Sequence, residues 1–182
     1  NIVDMLLNIE LPQLRSVDIG NIRKIKALLA IISTEVPMLV DITKLATLTG
    51  IARTTMLAYL QYLHEAKLIR LLYSDDLSVK KMQKPDKILM ENTNLLQALS
   101  LQVPNIGTMR ETFFCNQLGY THQVEYNKRG DYLIDHKYVF EIGGKAKDGK
   151  QVANMENAYI ASDECDYPIG NKLPLWLFGL MY

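Results

Sequence analysis

Between residues 21 and 34, NIRKIKALLAIIST, the apolar side chains Ile22, Ile25, Leu28, Leu29 and Ile32 recur at three- and four-residue intervals, while Arg23, Lys24 and Lys26 fall elsewhere on the wheel. That period marks an amphipathic helix with one buried face. Asn21 stands where an N-cap belongs, and Pro37 opposes continuation. The next stretch, DITKLATLTGIARTTMLAYLQYLHEAKLIRLLYS, predicts a short helix opened by Asp41, with Ile42, Leu45, Ala46 and Leu48 as its apolar stripe. Gly50 supplies the permissive backbone of a tight turn. A longer helix follows from about residue 52 to 67, with Met56, Leu57, Leu60 and Leu63 facing inward. LIRLLYS and KILMEN then have the apolar density of strands around the polar loop SDDLSVKKMQKPD. Two helices joined by a short glycine turn, the second one longer, form a helix-turn-helix pattern, and a third helix with a two-stranded wing makes it a winged helix. Residues 1–20, interrupted by Pro12 and Gly20, read as a connecting arm.

The pattern changes after residue 103. A short helix around NTNLLQALS ends near Pro104, and residues 108–119 form another helix, capped by Thr108, closed by Gly119 and apolar at Met109, Phe113, Phe114 and Leu118. From Val124 the period becomes that of strands: VEYN, DYLI and YVFEI, then a helix-like stretch near QVANMENAYI, then the apolar ending PLWLFGLMY. Its aromatic residues Trp176, Phe178 and Tyr182 alternate as in a buried strand. A helix, several strands, another helix and a last strand describe an α/β arrangement. The expected organisation is therefore a winged helix over 21–103 and an α/β domain over 104–182, α+β taken as a whole.

Composition narrows the function classes. Hydrophobic residues make up 48% and charged residues 22% of the chain, so a folded core is expected. The formal net charge is zero, so nucleic-acid binding has to come from a local basic patch. Cys115, Cys165 and the scattered His64, His122 and His136 lack zinc-ligand spacing, which points to reduced thiols and a cytoplasmic setting. No apolar run approaches the ~20 residues of a membrane span, so no membrane partner is expected. The chain opens on Asn1 with no signal peptide, and it reads as a piece of something longer.

Among motifs, GGK at 143–145 mimics the end of a phosphate-binding loop. Val139 stands where the first glycine is needed and Ala146 where a hydroxyl would bind magnesium, so the loop is excluded. The chain has no G-x-S-x-G and no histidine with an evident nucleophile nearby, which excludes a serine hydrolase. The carboxylates of GDYLIDHKYVFEIGGK remain. If Asp135, His136 and Lys137 form the turn, Asp131 lies opposite Glu141, and both side chains share one face at roughly 5 Å; a two-residue turn puts them on opposite faces. Hard cations such as Mg²⁺ take oxygen ligands and keep several waters, so this pair with Glu111 from the preceding helix is a candidate set. The same residues also read as the solvated charges of a hairpin, with His136 a turn residue lacking a partner.

GDYLID, FEIGGK and a following glutamine, with RET upstream, resemble the PD-(D/E)XK nuclease-like fold. Together with TKLATLTGIARTTMLAYLQYLHEAKLI, KPDKILMENTNLLQAL, RETFFCNQL and GNKLPLWLFGLMY, they make nearly the whole chain similar to the C-terminal region of a bacterial and archaeal family of AAA-type ATPases. In that family a winged helix precedes the nuclease-like domain, whose function is largely unknown. The resemblance implies that ATP is bound only by a P-loop core upstream of this chain. It matches Glu111 to the helix glutamate, Asp131 to the motif aspartate and Glu141 to the following acidic residue, all three as metal ligands. The motif lysine two residues beyond Glu141 is replaced by Gly143. Lys145, of the same strand parity, is the candidate to reach back and orient water, and Gln151 is a weaker match to a glutamine of some relatives.

On the winged helix, the second helix would enter the major groove with Arg53, Thr54, Thr55, Tyr59, Gln61 and Tyr62 as its polar positions. Lys80, Lys81, Lys84 and Lys87 of the wing would contact phosphates. The leading expectation is an accessory DNA- or partner-binding region with a degraded nuclease-like site. The alternatives are a Mg²⁺-dependent DNA endonuclease and a module for protein contact.

Overall fold

The computed structural model describes residues 2–15, 17–74, 84–152 and 155–181. The architecture is mixed α and β, with helices and two sheets. The chain divides into two compact units, residues 1–71 with 88–104 and residues 72–87 with 105–182. Among the described residues, no helix is long and apolar enough to cross a membrane.

In the first unit, the opening segment is helical where a connecting arm was expected. α1 (Ile2–Met5), a π-helical turn (Leu6–Glu10) and α2 (Leu11–Arg15) follow one another. Val3, Leu7 and Leu11 are buried at four-residue spacing, which keeps one apolar stripe inward despite Pro12. Pro12 follows a π-helical turn in which the Leu11 N–H donates to the Leu6 carbonyl. α3 (Ile19–Glu35) starts earlier than its apolar period suggests, because Asp18 and not Asn21 caps it, accepting the Gly20 N–H at 3.1 Å. β1 (Met38–Leu39) precedes α4 (Ile42–Thr49), whose cap Asp41 accepts the Thr43 and Lys44 N–H groups. Gly50 takes φ +64°, the left-handed conformation that the turn into α5 (Arg53–Glu65) demands. Its carbonyl accepts a hydrogen bond from Lys24 Nζ at 3.1 Å, tying the turn to α3.

β2 (Ile69–Leu72) and β3 (Lys87–Met90) complete a sheet in the order β1-β3-β2, and α6 (Thr93–Leu99), capped by Asn92, closes the unit. Ile25, Leu28, Ile32, Leu45, Met56, Leu60, Leu63, Ile69 and Ile88 are fully buried and form its core. At the base of the sheet, Arg70 and Glu91 make an ion pair at 2.5 Å with both side chains buried.

The second unit starts from α7 (Ile106–Leu118). Its cap is Asn105, which accepts the Thr108 N–H at 2.8 Å; Thr108, expected at the cap, lies inside the helix and is buried. Five strands follow: β4 (Val124–Tyr126), β5 (Tyr132–Ile134), β6 (Tyr138–Gly143), β7 (Ala158–Ser162) and β8 (Lys172–Pro174). They lie in chain order, with β4-β5 and β5-β6 antiparallel and β6-β7 and β7-β8 parallel. The segment around 150–160 was expected to be helical; its described residues form turns and then β7. Glutamine, alanine, methionine and glutamate are good helix formers, but Ala158, Ile160 and Ala161 are buried in the sheet, and the parallel neighbour decides.

The apolar ending is not one long strand. After β8 the chain turns into a 3₁₀ helix (Leu175–Leu180) that buries Leu175 and Phe178 and leaves Trp176 exposed; Tyr182 lies outside the described residues. Phe178 meets Phe114 of α7 edge-on at 4.8 Å and Phe140 of β6 at 5.4 Å, and Phe114 stacks on Tyr132 at 5.8 Å. This aromatic cluster fixes α7 on the face of β5 and β6 that carries Tyr132 and Phe140. Leu133 and Val139, of opposite parity, pack with Val152, Ala158 and Ile160 in a separate cluster.

Candidate functional site

The hairpin register comes first. Tyr132 pairs with Phe140, Leu133 with Val139 and Ile134 with Tyr138, leaving Asp135, His136 and Lys137 as the turn. Asp135 and His136 adopt φ +51° and +54°, the two left-handed centres of a turn closed by the Lys137 N–H donating to the Ile134 carbonyl at 3.0 Å. The register ends at Tyr132 and Phe140, and Asp131 stands just before the strand. The Asp131 N–H donates to the Phe140 carbonyl at 2.8 Å, and the Ile142 N–H donates to Asp131 Oδ2 at 2.7 Å. The side chain of Asp131 thus bridges back to the strand that carries Glu141. Gly130 is needed at the approach: a Cβ there would lie 2.6 Å from Val139 Cγ1 and 3.0 Å from the Phe140 carbonyl oxygen.

Glu141 is 2% exposed and its Oε1 meets Lys147 Nζ at 2.9 Å; its Oε2 is buried with no hydrogen-bond partner. Lys147 therefore stands where Lys145 was expected. Lys145 is exposed, and its carbonyl accepts a hydrogen bond from Lys172 Nζ at 2.6 Å. The reason lies in the double glycine. A Cβ at Gly143 would fall 2.8 Å from Lys147 Cβ, Cγ and Cδ, so the stem of Lys147 runs through the space that a side chain at 143 would fill. At Gly144 an added Cβ would meet the Arg110 guanidinium at 3.0 Å, and Arg110 itself pairs with Asp163 at 3.0 Å. The turn after β6 folds back under both cations, and strand parity stops governing position beyond Gly143.

Glu111 projects from α7 and shares one oxygen between two donors: Lys87 Nζ at 2.6 Å and the Tyr132 hydroxyl at 2.5 Å. Lys87 was expected to be a wing residue facing phosphate. It is 8% exposed, and its ammonium lies over the Tyr132 ring at 4.6 Å and the Tyr126 ring at 5.9 Å.

Electrostatically the groups form one set. Burial pushes the Asp131 carboxyl above its ordinary value; the Ile142 N–H opposes this, Glu111 adds to it, and Lys87 and Lys147 relieve it. Burial works against the charge on Lys147, but the hydrogen bond and charge of Glu141, followed by Asp131 and Glu111, outweigh it and hold the ammonium above its usual value. The Tyr132 hydroxyl is driven far up, first by burial and then by Cys115 and Glu111, so it remains a donor.

Whether Mg²⁺ suits this set can be judged from its donors. They are all hard oxygens, and Glu141 Oε2 lacks a partner, both of which suit such an ion. The carboxylates are not gathered into a cage, however. Among the described residues no three His, Cys, Asp or Glu side chains stand close enough to hold a metal ion. Each is engaged by the chain's own lysine or N–H.

Elsewhere the predicted positions disperse. On α5, Arg53, Thr54 and Gln61 are exposed, Thr55 and Tyr62 are half-buried, and Tyr59 is 7% exposed, within the core. Tyr59 belongs to the same inward stripe as Met56 and Leu63, so it is removed from any groove contact. Lys84 is exposed; Lys80 and Lys81 lie outside the described residues. Gln151 is exposed beside the loop of Lys147. His136 has a partner after all: its Nδ1 meets Glu125 Oε2 at 2.8 Å, and the neighbouring His122 meets Asp135 at 2.7 Å.

Sequence reasoning missed Lys147 and Arg110 and gave Lys87 a different role. The double glycine was the available signal, since two adjacent residues without side chains leave room for others to cross. No family model, curated protein or solved structure matches this chain.

Proposed function

We propose that this chain is the accessory region of an AAA-type P-loop ATPase, pairing a DNA-contacting winged-helix unit with a nuclease-like site that its own lysines occupy. The observation that carries this reading is that each carboxylate is already engaged: Glu111 by Lys87 at 2.6 Å, Glu141 by Lys147 at 2.9 Å and Asp131 by the Ile142 N–H at 2.7 Å. Support for the winged helix comes from three helices with a glycine turn and a β1-β3-β2 sheet, and from the exposed Arg53 and Thr54 at the start of α5. Recruiting two ammonium groups to three carboxylates favours holding over cleaving, because a phosphodiester reaction needs a cation free to polarise water and phosphate. In such a site Mg²⁺ would be held by Asp131 and Glu141 and would supply an acidified water. Lys147 would orient that water, and the Tyr132 hydroxyl would keep Glu111 in place.

Fluorescence anisotropy with a labelled duplex at two salt concentrations, beside supercoiled plasmid with Mg²⁺ or Mn²⁺, tests the reading. Binding that weakens steeply with salt, without nicking, is the expected result. A flat or absent salt response removes DNA and leaves protein contact. A second reading, an active Mg²⁺-dependent endonuclease, is favoured by the unpartnered Glu141 Oε2 and by Lys147 crossing Gly143. Nicking that disappears in both Glu141→Ala and Lys147→Ala would make it the function.

A further inference from the structure

The end of α7, the strands β6 and β7 and the 3₁₀ helix surround a cavity of about 350 Å³ in the second unit. Its walls include the rings of Tyr138, Phe140, Tyr159 and Phe178, and His122 with Asp135 forms its polar corner. That volume falls at the small end of ligand pockets, which run to roughly 300–1,000 Å³. Strand parity builds the aromatic wall: Phe140 pairs with Tyr159 across the parallel strands, and Tyr138 shares the parity of Phe140. Phe140 stacks on Tyr159 at 5.5 Å and 28°, while Phe178 stands edge-on to Phe140 at 5.4 Å and 88°. The lining thus combines rings in both orientations that an aromatic guest can pair with, stacked and edge-on.

The polar corner selects the guest. Asp135 Oδ1 accepts the Gln123 N–H at 2.9 Å, and its Oδ2 meets His122 Nδ1 at 2.7 Å. The Gln123 N–H and then His122 hold the Asp135 carboxyl below its ordinary value, so it stays negative and accepts from Nδ1. On the neutral imidazole this leaves Nε2 as an acceptor. A carboxylate at the corner opposes an anionic guest, which sets nucleotides and fatty acids aside, whereas a neutral hydroxyl can donate to Nε2. We infer that this cavity binds a small neutral aromatic molecule bearing a hydroxyl, its ring among the four aromatic side chains and its O–H on His122. Asp135 behind the imidazole keeps the acceptor oriented, and the pair discriminates a hydroxyl-bearing guest from the same ring without the hydroxyl. The cavity shares no residue with Glu111, Asp131 and Glu141, and the inference does not rest on the nuclease-like reading.

The test is isothermal titration calorimetry of the whole chain with 2-naphthol, compared with 2-naphthoate. Wild type should bind one equivalent of 2-naphthol, with 2-naphthoate about tenfold weaker or worse. His122→Leu should weaken 2-naphthol roughly fivefold, the worth of one hydrogen bond. Leu173→Trp, which places an indole in the cavity from β8, should abolish binding. Binding unchanged in Leu173→Trp puts the probe elsewhere and overturns the inference. Unchanged affinity in His122→Leu, or naphthoate bound as tightly as naphthol, overturns the hydroxyl-bearing class. No binding by wild type with native circular dichroism overturns the small-molecule site and leaves the cavity to an apolar side chain of a protein partner. Should Leu173→Trp fail to fold, wild type decides by nuclear Overhauser contacts. Contacts from the naphthol ring protons to the methyl groups of Leu173 and Met181 place the probe in the cavity, and their absence refutes the inference.

Discussion

The two units each bury an ion pair, and the pairs are built differently. In the first, Arg70 and Glu91 are 8% and 1% exposed at 2.5 Å, both anchored at the paired strands β2 and β3. In the second, Glu141 is as deeply buried, but its partner Lys147 comes from a turn and keeps 34% of its side chain in solvent. Removing one member of a pair sealed on both sides strands a charge in the interior, whereas an ammonium on a flexible stem can leave for water. The first arrangement serves structure. The second leaves its cation a path to water.

That contrast is most exposed to Glu91→Ala, which leaves Arg70 without its carboxylate in the core. Urea unfolding followed by circular dichroism should show a loss of about 3–5 kcal/mol. Glu141→Gln should cost less than half as much in the same measurement, because Lys147 retreats to solvent; an equal loss would make both pairs structural and end the comparison. Gly143→Ala comes next. The new methyl group must displace the Lys147 stem, so a cost of about 1–3 kcal/mol is expected, and its signature is that a further Lys147→Met substitution adds almost nothing in a double-mutant cycle.

A smaller effect, of opposite sign, is expected from Asp131→Asn. The folded-state pKa of Asp131 is raised, mainly by burial, so the folded protein holds this proton more tightly than the unfolded chain. Any stability linked to it is fully present below the ordinary Asp value near 3.8 and is lost as pH rises through the raised value. The amide oxygen of the substituted side chain would still accept the Ile142 N–H, without the buried charge. The variant should therefore equal or exceed wild-type stability at pH 7, and the advantage should shrink as pH falls towards 4; a variant less stable at every pH would contradict this. The smallest expected change is in the first unit: Arg53→Ala should lower duplex affinity a few-fold and reduce the salt slope by about 1, while Tyr59→Phe should leave both unchanged.

How much could be read beforehand differed between the two units for a physical reason. Strand parity is a strict two-residue rule, so local spacing reduced the hairpin to two outcomes, and the pairing of Tyr132 with Phe140 and Ile134 with Tyr138 chose the three-residue turn only in the structure. A helix presents a side chain every hundred degrees, and a tyrosine can serve either face. Tyr59 accordingly looked available for contact and is in fact core. Helix starts were displaced for a similar reason: Asp18 and Asn105 cap α3 and α7 from just outside the apolar period, where pattern alone gives no warning.

The amino-acid order by itself determined the apolar stripes of α3 and α5, the glycine reversal at Gly50 and the Asp41 cap, because each depends on residues a few positions apart. Tertiary structure alone decided which lysines face the carboxylates. Lys87 reaches Glu111 across 24 positions, and Lys147 returns over Gly143 only because the turn after β6 folds back. The ending became a 3₁₀ helix because Phe178 packs against Phe114 and Phe140, and burial between these two rings outweighed local strand preference. Long flexible cations are placed by the charge and the empty space they find, and neither has a period along the chain.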